Sequence, residues 1–180
     1  MLVPLGAVLC GGASTRMGSD KATLPVRGVA MAQRVADALT AAGCAPVVMV
    51  GGDARELQSL RLEHVDDDFP GEGPLGGILT ALARGSAALV VACDVPNIRP
   101  QTLRRLIDTL GDHQAAIACT EHLEPLCALW SPSASATLRS RFVAGERAVH
   151  RAIEGLDVVA VIVPADELRN VNTPDDLNSL

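Results

Sequence analysis

A chain of 180 residues with 48% hydrophobic and 20% charged residues has the composition of a folded domain rather than of a disordered segment. The net charge of −6 and the scarcity of aromatic residues (one Trp, two Phe and no Tyr) argue against nucleic acid as a partner, because such surfaces need basic stripes and aromatic stacking platforms. No apolar run approaches the about 18 residues of a membrane span, and residues 1–9 lack the basic segment of a signal peptide, so we expect a cytoplasmic protein.

The first half of the chain alternates short aliphatic runs with segments of helical periodicity. In chain order the pattern predicts a strand at 7–9, a helix at 29–42 ended by Gly43, strands at 46–50 and 62–65, a helix at 75–83 ended by Gly85, a strand at 87–93 and a helix at 100–110 followed by Gly111. Strands separated by helical segments of about 10 to 15 residues are typical of right-handed βαβ units. We therefore predict an α/β protein, a three-layer α/β/α sandwich around a Rossmann-like, mostly parallel sheet, with ligands at the carboxyl ends of the strands.

The second half of the chain has a less regular pattern. It predicts strands at 115–119 and 126–130, the latter a candidate antiparallel strand, helical segments at 133–143 and 147–155, and a last strand at 158–163. No linker, internal repeat or low-complexity segment interrupts the sequence. We therefore expect residues 1–180 to form a single domain.

A glycine-rich segment, LCGGASTRMGSDK at residues 9–21, joins the first predicted strand to the first predicted helix. Gly11 and Gly12 let the backbone approach a ligand closely, and Arg16 and Lys21 add two cations within reach of the same volume. A triphosphate would satisfy both features. The segment does not fit the P-loop, because no Ser or Thr directly follows Lys21, nor the dinucleotide fingerprint, because its glycines are adjacent.

Asp94 comes directly after the most hydrophobic predicted strand. A carboxylate at a buried strand end is costly unless it meets a cation. Mg²⁺ prefers one or two protein carboxylates together with substrate phosphates and waters, so a single aspartate can be enough. We therefore predict Mg²⁺ as the cofactor and Asp94 as its ligand; the alternative is that Asp94 caps a helix or occupies a turn.

The cysteines and histidines show no spacing typical of a site. The five cysteines contain no Cys-x-x-Cys pair, and the four histidines lie in different segments. We interpret the cysteines as buried reduced thiols of a cytosolic protein and the histidines as structural or solvent-facing.

The glycine-rich segment resembles the signature Leu-x-Gly-Gly-x-Ser-x-Arg-Met-Gly-x-Asp-Lys of the NTP-transferase family, which contains the molybdopterin guanylyl- and cytidylyltransferases and the sugar-phosphate nucleotidyltransferases. Every fixed position is met, and Cys10 stands where alanine is usual. The family has the nucleotide-diphospho-sugar transferase fold, the same three-layer sandwich. The resemblance implies that the outer phosphates of the nucleotide meet Arg16 and the α-phosphate region meets Lys21. It also implies that base and ribose are held by the backbone of Leu9, Cys10, Gly11 and Gly12.

Two further segments resemble nucleotide-binding motifs of the same family. Asp94-Val95-Pro96 resembles the Asp-x-Pro motif that carries the metal ligand. Residues 67–77 resemble Asp-x-x-Pro-Gly-x-Gly-Pro-Leu-x-Gly, which implies that Asp67 contacts the nucleotide and that its acidic neighbours are solvated. Gly51, which follows the second predicted strand, is a possible base contact by position only.

The second half carries two segments that resemble the guanylyl branch of the family. These are Gly-Glu-Arg at residues 145–147 and Asn-x-Asn-Thr-Pro at residues 170–174, where the cytidylyl branch tends to carry aspartates. The resemblance implies that Arg147, Asn170 and Asn172 contact the pterin acceptor. Thr173 and Pro174 also suit the start of a terminal helix. Glu124 is an unusual residue for its position in the family, and its role stays open.

By this resemblance the protein is a guanylyltransferase that uses Mg²⁺ to move GMP from GTP onto the phosphate of molybdopterin. About residues 1–111 form the nucleotide-binding half and about residues 112–180 the acceptor-binding half. The alternatives are a CTP-dependent molybdopterin enzyme, another small-molecule nucleotidyltransferase, or a regulator that binds nucleotide without turnover. We expect a monomer, and transient contacts with molybdoenzymes or other cofactor-synthesis proteins are compatible with catalysis.

Overall fold

The computed structural model describes residues 2–11, 21–172 and 176. Within them the chain forms a seven-stranded sheet and a two-stranded hairpin. The strands are β1 Leu5–Leu9, β2 Pro25–Val26, β3 Val29–Ala30, β4 Val47–Val50, β5 Glu63–Val65, β6 Ala88–Ala92, β7 Ala115–Cys119, β8 Leu123–Trp130 and β9 Val158–Ile162. The helices are α1 Met31–Ala42, α2 Ala54–Leu57, α3 Pro74–Leu82, α4 Pro100–Thr109, α5 Ser135–Val143 and α6 Val149–Ala152, with 3₁₀ turns at Lys21–Thr23, Pro132–Ala134 and Ala165–Leu168.

The large sheet has the strand order β5-β4-β1-β6-β8-β7-β9. β8 runs antiparallel to both of its neighbours, and the other neighbouring pairs are parallel. Helices α1 and α4 pack on one face of the sheet, whereas α3, α5 and α6 pack on the other. The arrangement confirms the predicted three-layer α/β sandwich, including its antiparallel strand in the second half.

Strand β6 shows why the aliphatic runs of this sequence become central strands. Leu89 and Val91 belong to the core beneath α1 and α4, whereas Val90 belongs to the core beneath α3 and α5. A strand that is buried on both faces needs apolar residues at consecutive positions, which is the pattern that predicted it. The parallel registers bring the carboxyl ends of β1, β4 and β6 side by side at one rim of the sheet.

A glycine was predicted to end each of two helices, α1 and α3. α1 ends at Gly43, which has a φ of 99° and donates its N–H to carbonyls of the last helical turn, as predicted. The predicted bounds of the next helix, 75–83, agree with α3 at Pro74–Leu82 to within one residue, but Gly85 is not its stop, because the C-cap is Ala83. Gly85 is small for a packing reason: a Cβ there would lie 2.9 Å from the Cβ of Leu5.

The predicted helix at 147–155 is shorter in the structure, where α6 covers Val149–Ala152 only. The carboxylate of Glu146 accepts hydrogen bonds from the backbone N–H groups of Arg147 and Ala148, at 2.8 and 2.7 Å. These bonds hold the backbone just before α6, where Ala148 is extended, and no side chain caps the helix itself.

Three elements were not predicted, namely the β2–β3 hairpin, helix α2 and the first residues of β8. Each is too short, or too mixed in polarity, for periodicity to indicate. The predicted terminal helix, with Thr173 as its cap and Pro174 at its start, lies outside the described residues. No helix in the described part of the chain has the length and hydrophobicity needed to cross a bilayer.

Candidate active site

A cleft of about 1490 Å³ opens where the parallel strands end. It lies at the carboxyl ends of β1, β4 and β6, the position at which open α/β sheets bind ligands. Every predicted site residue that the structure describes lines this cleft: Leu9, Cys10, Gly11, Lys21, Gly51, Asp67, Asp94, Arg147, Asn170 and Asn172. Gly12 and Arg16, the other two predicted site residues, lie outside the described residues.

Lys21 forms the centre of the cleft's polar contacts. Its Nζ lies 3.0 Å from Oδ2 of Asp94 and donates a hydrogen bond of 2.5 Å to Oδ1 of Asn172. The side chains of Lys21 and Asp94 are only 14% and 24% exposed, so the ion pair is partly shielded from solvent. The structure thus brings together the predicted phosphate-binding lysine, the predicted metal ligand and one predicted acceptor contact.

The segment that carries Asn170 and Asn172 is fixed to the end of β6. The backbone N–H of Val171 donates to the backbone carbonyl of Asp94 at 2.8 Å. The Val171 side chain is 2% exposed and packs with Val26 and Met31, which lie at the β2–β3 hairpin and the start of α1. A small apolar cluster therefore holds the segment with the two asparagines against the first half of the chain.

Backbone forms the part of the cleft above β1 and β4. The N–H of Cys10 donates to the carbonyl of Val50, and the thiol of Cys10 turns inward towards the carbonyl of Val8. Gly51 has a φ of 70°, and a Cβ there would lie 3.4 Å from the backbone N of Gly11. Such a Cβ would only contact Gly11, and it is the positive φ that favours glycine at position 51.

Asp67 is held from two directions at the rim beside Gly51. Its Oδ1 accepts hydrogen bonds from the backbone N–H of Phe69 at 3.0 Å and from the hydroxyl of Thr80 at 2.8 Å.

The neighbouring Asp68 binds Arg84, whose guanidinium donates two hydrogen bonds of 2.8 Å to the Asp68 carboxylate. The hydrogen bond from Arg84 lowers the pKa of Asp68. The expectation that the neighbours of Asp67 are solvated holds for both of them: the side chain of Asp66 is 96% exposed, and that of Asp68, although paired with Arg84, is 43% exposed.

Arg147 spans the two halves of the cleft. Its Nε donates to Oε2 of Glu72, in the loop before α3, and its Nη1 donates to the carbonyl of Phe142 at 2.7 Å. The guanidinium carbon lies 4.0 Å from the centre of the Phe142 ring, a cation–π contact. The structure therefore places Arg147 in the cleft wall with its guanidinium oriented by three groups of the protein.

Glu146 organises the loop that carries Arg147. Its carboxylate accepts from Nε and Nη2 of Arg151 at 2.6 and 2.8 Å, in addition to the two backbone N–H groups at the start of α6. The hydrogen bond from Arg151, followed by that from the Ala148 N–H, lowers the pKa of Glu146 to about 2. Glu146 is therefore a structural residue of the Gly-Glu-Arg segment.

Comparison with known proteins assigns the chain. Residues 6–161 match the family described as the MobA-like NTP transferase domain. The chain belongs to this family of nucleotidyltransferases. Proteins named probable molybdenum cofactor guanylyltransferase from Opitutus terrae and Chloroflexus aggregans are each 36% identical to it, over 95% and 96% of the chain and 91% and 90% of their own lengths.

A solved structure agrees with this assignment. The crystal structure of molybdopterin-guanine dinucleotide biosynthesis protein A from Archaeoglobus fulgidus superimposes with a TM-score of 0.80 at 28% identity, covering 97% of this chain and 95% of that one. The resemblance drawn from the glycine-rich segment is thereby confirmed at the level of the family and the fold.

Sequence reasoning missed several residues that shape the site of this MobA-like transferase. Thr80 and Glu72 hold the predicted site residues Asp67 and Arg147 in place, Arg84 binds the neighbouring Asp68, and no motif indicated these three residues. One available signal was overlooked: lysine and arginine together number 15, and Lys21 is the only lysine. Every other residue of this set is an arginine. A lysine at position 21 therefore indicates that a compact ammonium group suits this position better than a planar guanidinium.

The cysteines and histidines take the positions expected of them. All five cysteines lie in the described part of the chain and none forms a disulfide; four are buried, and Cys119 is partly buried. Burial raises the pKa of the Cys127 thiol to about 12, so it stays protonated although it borders the cleft.

Two histidines and Glu124 also lie at the cleft. His64 donates to the carbonyl of Gly51 at 3.2 Å, and the solvent-facing His150 lines the cleft. Glu124 lines it too, with its Oε1 3.4 Å from the hydroxyl of Thr120.

Proposed function

We propose that this MobA-like transferase moves GMP from GTP onto the phosphate of molybdopterin, releasing pyrophosphate and forming molybdopterin guanine dinucleotide. One observation carries the proposal: Lys21, from the glycine-rich segment, bonds both to Asp94 at the strand end and to Asn172 of the acceptor segment. A nucleotide bound by the glycine-rich segment would thus lie next to an acceptor bound by the segment that carries Asn172. The names of the relatives from Opitutus terrae and Chloroflexus aggregans support the same substrates.

The donor atoms at the strand end fit Mg²⁺ as cofactor. The described residues contain no group of three or more His, Cys, Asp or Glu side chains that could hold a metal by themselves. The cleft instead offers the Asp94 carboxylate, and Mg²⁺ commonly takes its remaining ligands from substrate phosphates and waters. Asp94 would hold the ion, which when bound neutralises charge on the donor phosphates.

The chain's own residues then have two tasks, alignment and charge stabilisation. A phosphate monoester is mostly dianionic near neutral pH and attacks without a general base. Its oxygen forms a bond to the α-phosphorus as the bond to the leaving pyrophosphate breaks. Lys21 stabilises the negative charge that grows around the α-phosphorus, and Arg16 interacts with the departing phosphates.

The acceptor is held at the other end of the cleft. Asn170 and Asn172 project from the segment that Val171 fixes beside Asp94, and amides of this kind can both donate to and accept from a pterin. Arg147 supplies a guanidinium whose orientation is set by Glu72 and Phe142. Because all three residues line the same cleft as Gly11 and Gly51 and stand in segments that resemble the guanylyl branch, we propose them as acceptor contacts.

We further propose that the protein acts as a monomer in the cytoplasm. The absence of disulfides among the five cysteines, all of which the structure describes, suits a reducing compartment.

The experiment that tests the proposed function is a pyrophosphate-release assay with molybdopterin as acceptor, in which GTP, CTP, ATP and UTP are supplied in turn with Mg²⁺. We expect release with GTP and a product with the mass of molybdopterin guanine dinucleotide. Release with CTP alone would assign the protein to the cytidylyl class. Nucleotide binding without release would point to a regulator.

A further inference from the structure

Thr80 is the one polar side chain in helix α3, whose sequence is PLGGILTAL. It is fully buried, with 0% of its surface exposed, and the residues on either side of it belong to the core beneath the helix. A buried hydroxyl in an apolar helix destabilises the protein unless its hydrogen bonds are made. The position would favour Val or Leu on packing alone, so the hydroxyl needs a separate explanation.

The Thr80 hydroxyl bonds to the acidic loop after β5. It donates to Oδ1 of Asp67 at 2.8 Å and accepts from the backbone N–H of Asp68 at 3.0 Å. A threonine within a helix commonly bonds instead to the carbonyl one turn earlier in its own helix. Here both hydrogen-bonding functions of the hydroxyl connect the helix to the loop.

These bonds determine which oxygen of Asp67 a ligand can use. Oδ1 is occupied by Thr80 and by the backbone N–H of Phe69. Asp67 lines the cleft, and its Cβ would be 3.7 Å from a Cβ added to Gly51. The carboxylate is thus held at the cleft wall next to the close approach of Gly51 and Gly11, with Oδ2 as its second acceptor.

We propose that Thr80 is a positioning residue for nucleotide binding, which fixes the Asp67 carboxylate so that Oδ2 accepts hydrogen bonds from the bound nucleoside. The inference rests on the proposed function and deepens it by assigning how this part of the GTP site is built. Without the bond from Thr80, only the backbone N–H of Phe69 holds the Asp67 carboxylate, within a run of three aspartates where repulsion from its neighbours opposes one fixed orientation. Arg84 removes part of that repulsion by pairing with Asp68.

The test compares five variants by the dissociation constant of Mg·GTP from calorimetry and by KM and kcat in the pyrophosphate-release assay. Thr80→Val removes the hydroxyl at nearly constant volume, and Thr80→Ser keeps it. Thr102→Val is the matched control, because Thr102 is also buried in a helix, at 4% exposure, and does not line the cleft. Asp67→Ala, alone and combined with Thr80→Val, completes a double-mutant cycle.

We expect Thr80→Val to raise the dissociation constant and KM for GTP by about tenfold with kcat little changed, since a hydrogen bond to a charged group is lost. Thr80→Ser and Thr102→Val should bind GTP like the wild type. In the Asp67→Ala background, Thr80→Val should have little further effect. If Thr80→Val fails to fold, Thr80→Ala removes the same hydroxyl without adding an apolar group to the loop contact.

Two results would overturn the assignment of Thr80. One is a Thr80→Val variant that binds GTP as tightly as the Thr102→Val control. The other is an equal loss of affinity whether or not Asp67 is present, which would mean that Thr80 acts only through packing. A folded wild-type protein without affinity for Mg·GTP is a different outcome, because it removes the proposed function itself and this inference with it.

Discussion

The ammonium nitrogen of Lys21 lies 3.0 Å from Oδ2 of Asp94, although the two residues are 73 positions apart in the chain. Asn172 accepts a hydrogen bond from the same nitrogen, so three distant segments meet at one atom. The pairing also balances two charges at a partly buried strand end, where either alone would be costly. Substitution of one partner therefore affects both ligand binding and the charge left on the other.

Replacing Asp94 by Ala should abolish most GMP transfer while leaving a folded protein. Loss of a charge contact of this kind commonly lowers the rate by about 10² to 10³. The measurement is pyrophosphate release at saturating GTP and Mg²⁺, with circular dichroism as the check on folding. Asp108→Ala is the matched control, since Asp108 pairs with Arg104 on the exposed face of α4. Equal turnover in the Asp94 and Asp108 variants would contradict the proposed role of Asp94.

Lys21 should be protected from amine-reactive reagents by GTP. Because it is the only lysine, acetylation located by peptide mass mapping reports on a single side chain besides the chain's terminal amine. We expect Mg·GTP to slow modification of Lys21 several-fold and to leave modification of the terminal amine unchanged. The same rate with and without the nucleotide would show that Lys21 does not contact it.

Gly51→Ala should weaken nucleotide binding more than it weakens the fold. The new side chain would strain a residue with a φ of 70°, and its Cβ would contact the backbone of Gly11 at 3.4 Å at the wall of the cleft. Gly28→Ala controls for the strain, since Gly28 has a φ of 83° and an added Cβ there meets nothing within 4 Å. The readouts are the KM for GTP and the midpoint of thermal unfolding. Similar KM values for the two variants would show that position 51 is remote from the base.

Glu146→Gln should lower stability at neutral pH, and the difference from the wild type should shrink in acid. A carboxylate whose folded pKa is lowered to about 2 contributes stability above its ordinary pKa of 4.5, and this contribution is lost as the pH falls towards 2. Urea unfolding of both proteins at pH 7, pH 4 and pH 3 measures the difference. The exposed Glu121→Gln variant serves as control. A difference that stays constant with pH would rule out an ionised Glu146 as its source.

The parts of the fold that could be predicted were those set by long, consistent patterns. The aliphatic run around β6 and the helix that begins at Pro100 needed only burial and backbone preferences, and both formed within two residues of the expected bounds. Gly85 was predicted to end a helix, whereas the structure needs glycine there because a Cβ would lie too close to Leu5. α6 starts two residues after its predicted start, and the bonds from the Glu146 side chain to the backbone before it are of a kind that periodicity does not detect.

The identity of the candidate site residues, and the fact that they line one cleft, could be predicted from the sequence. The carboxyl ends of parallel strands lie at the same rim of a sheet, so residues that follow such strands come together. Their partners were not predictable. That Asp67 is bonded by Thr80, or that Arg147 is oriented by Glu72, depends on contacts between segments far apart in sequence. Sequence patterns therefore predict the residues that contact a ligand more readily than the residues that hold those side chains in position.

The reversed direction of β8 decides where the sheet can vary without disturbing its parallel strands. Because β8 runs against β6 and β7, the connection between β7 and β8 turns at the same rim as the cleft, and Glu124, near the start of β8, lines the cleft there. Residues 120–122 can thus be lengthened or exchanged without altering β1, β4 or β6, whose carboxyl ends form the rest of that rim. Variation at this turn therefore reaches the cleft while the parallel strands keep their register.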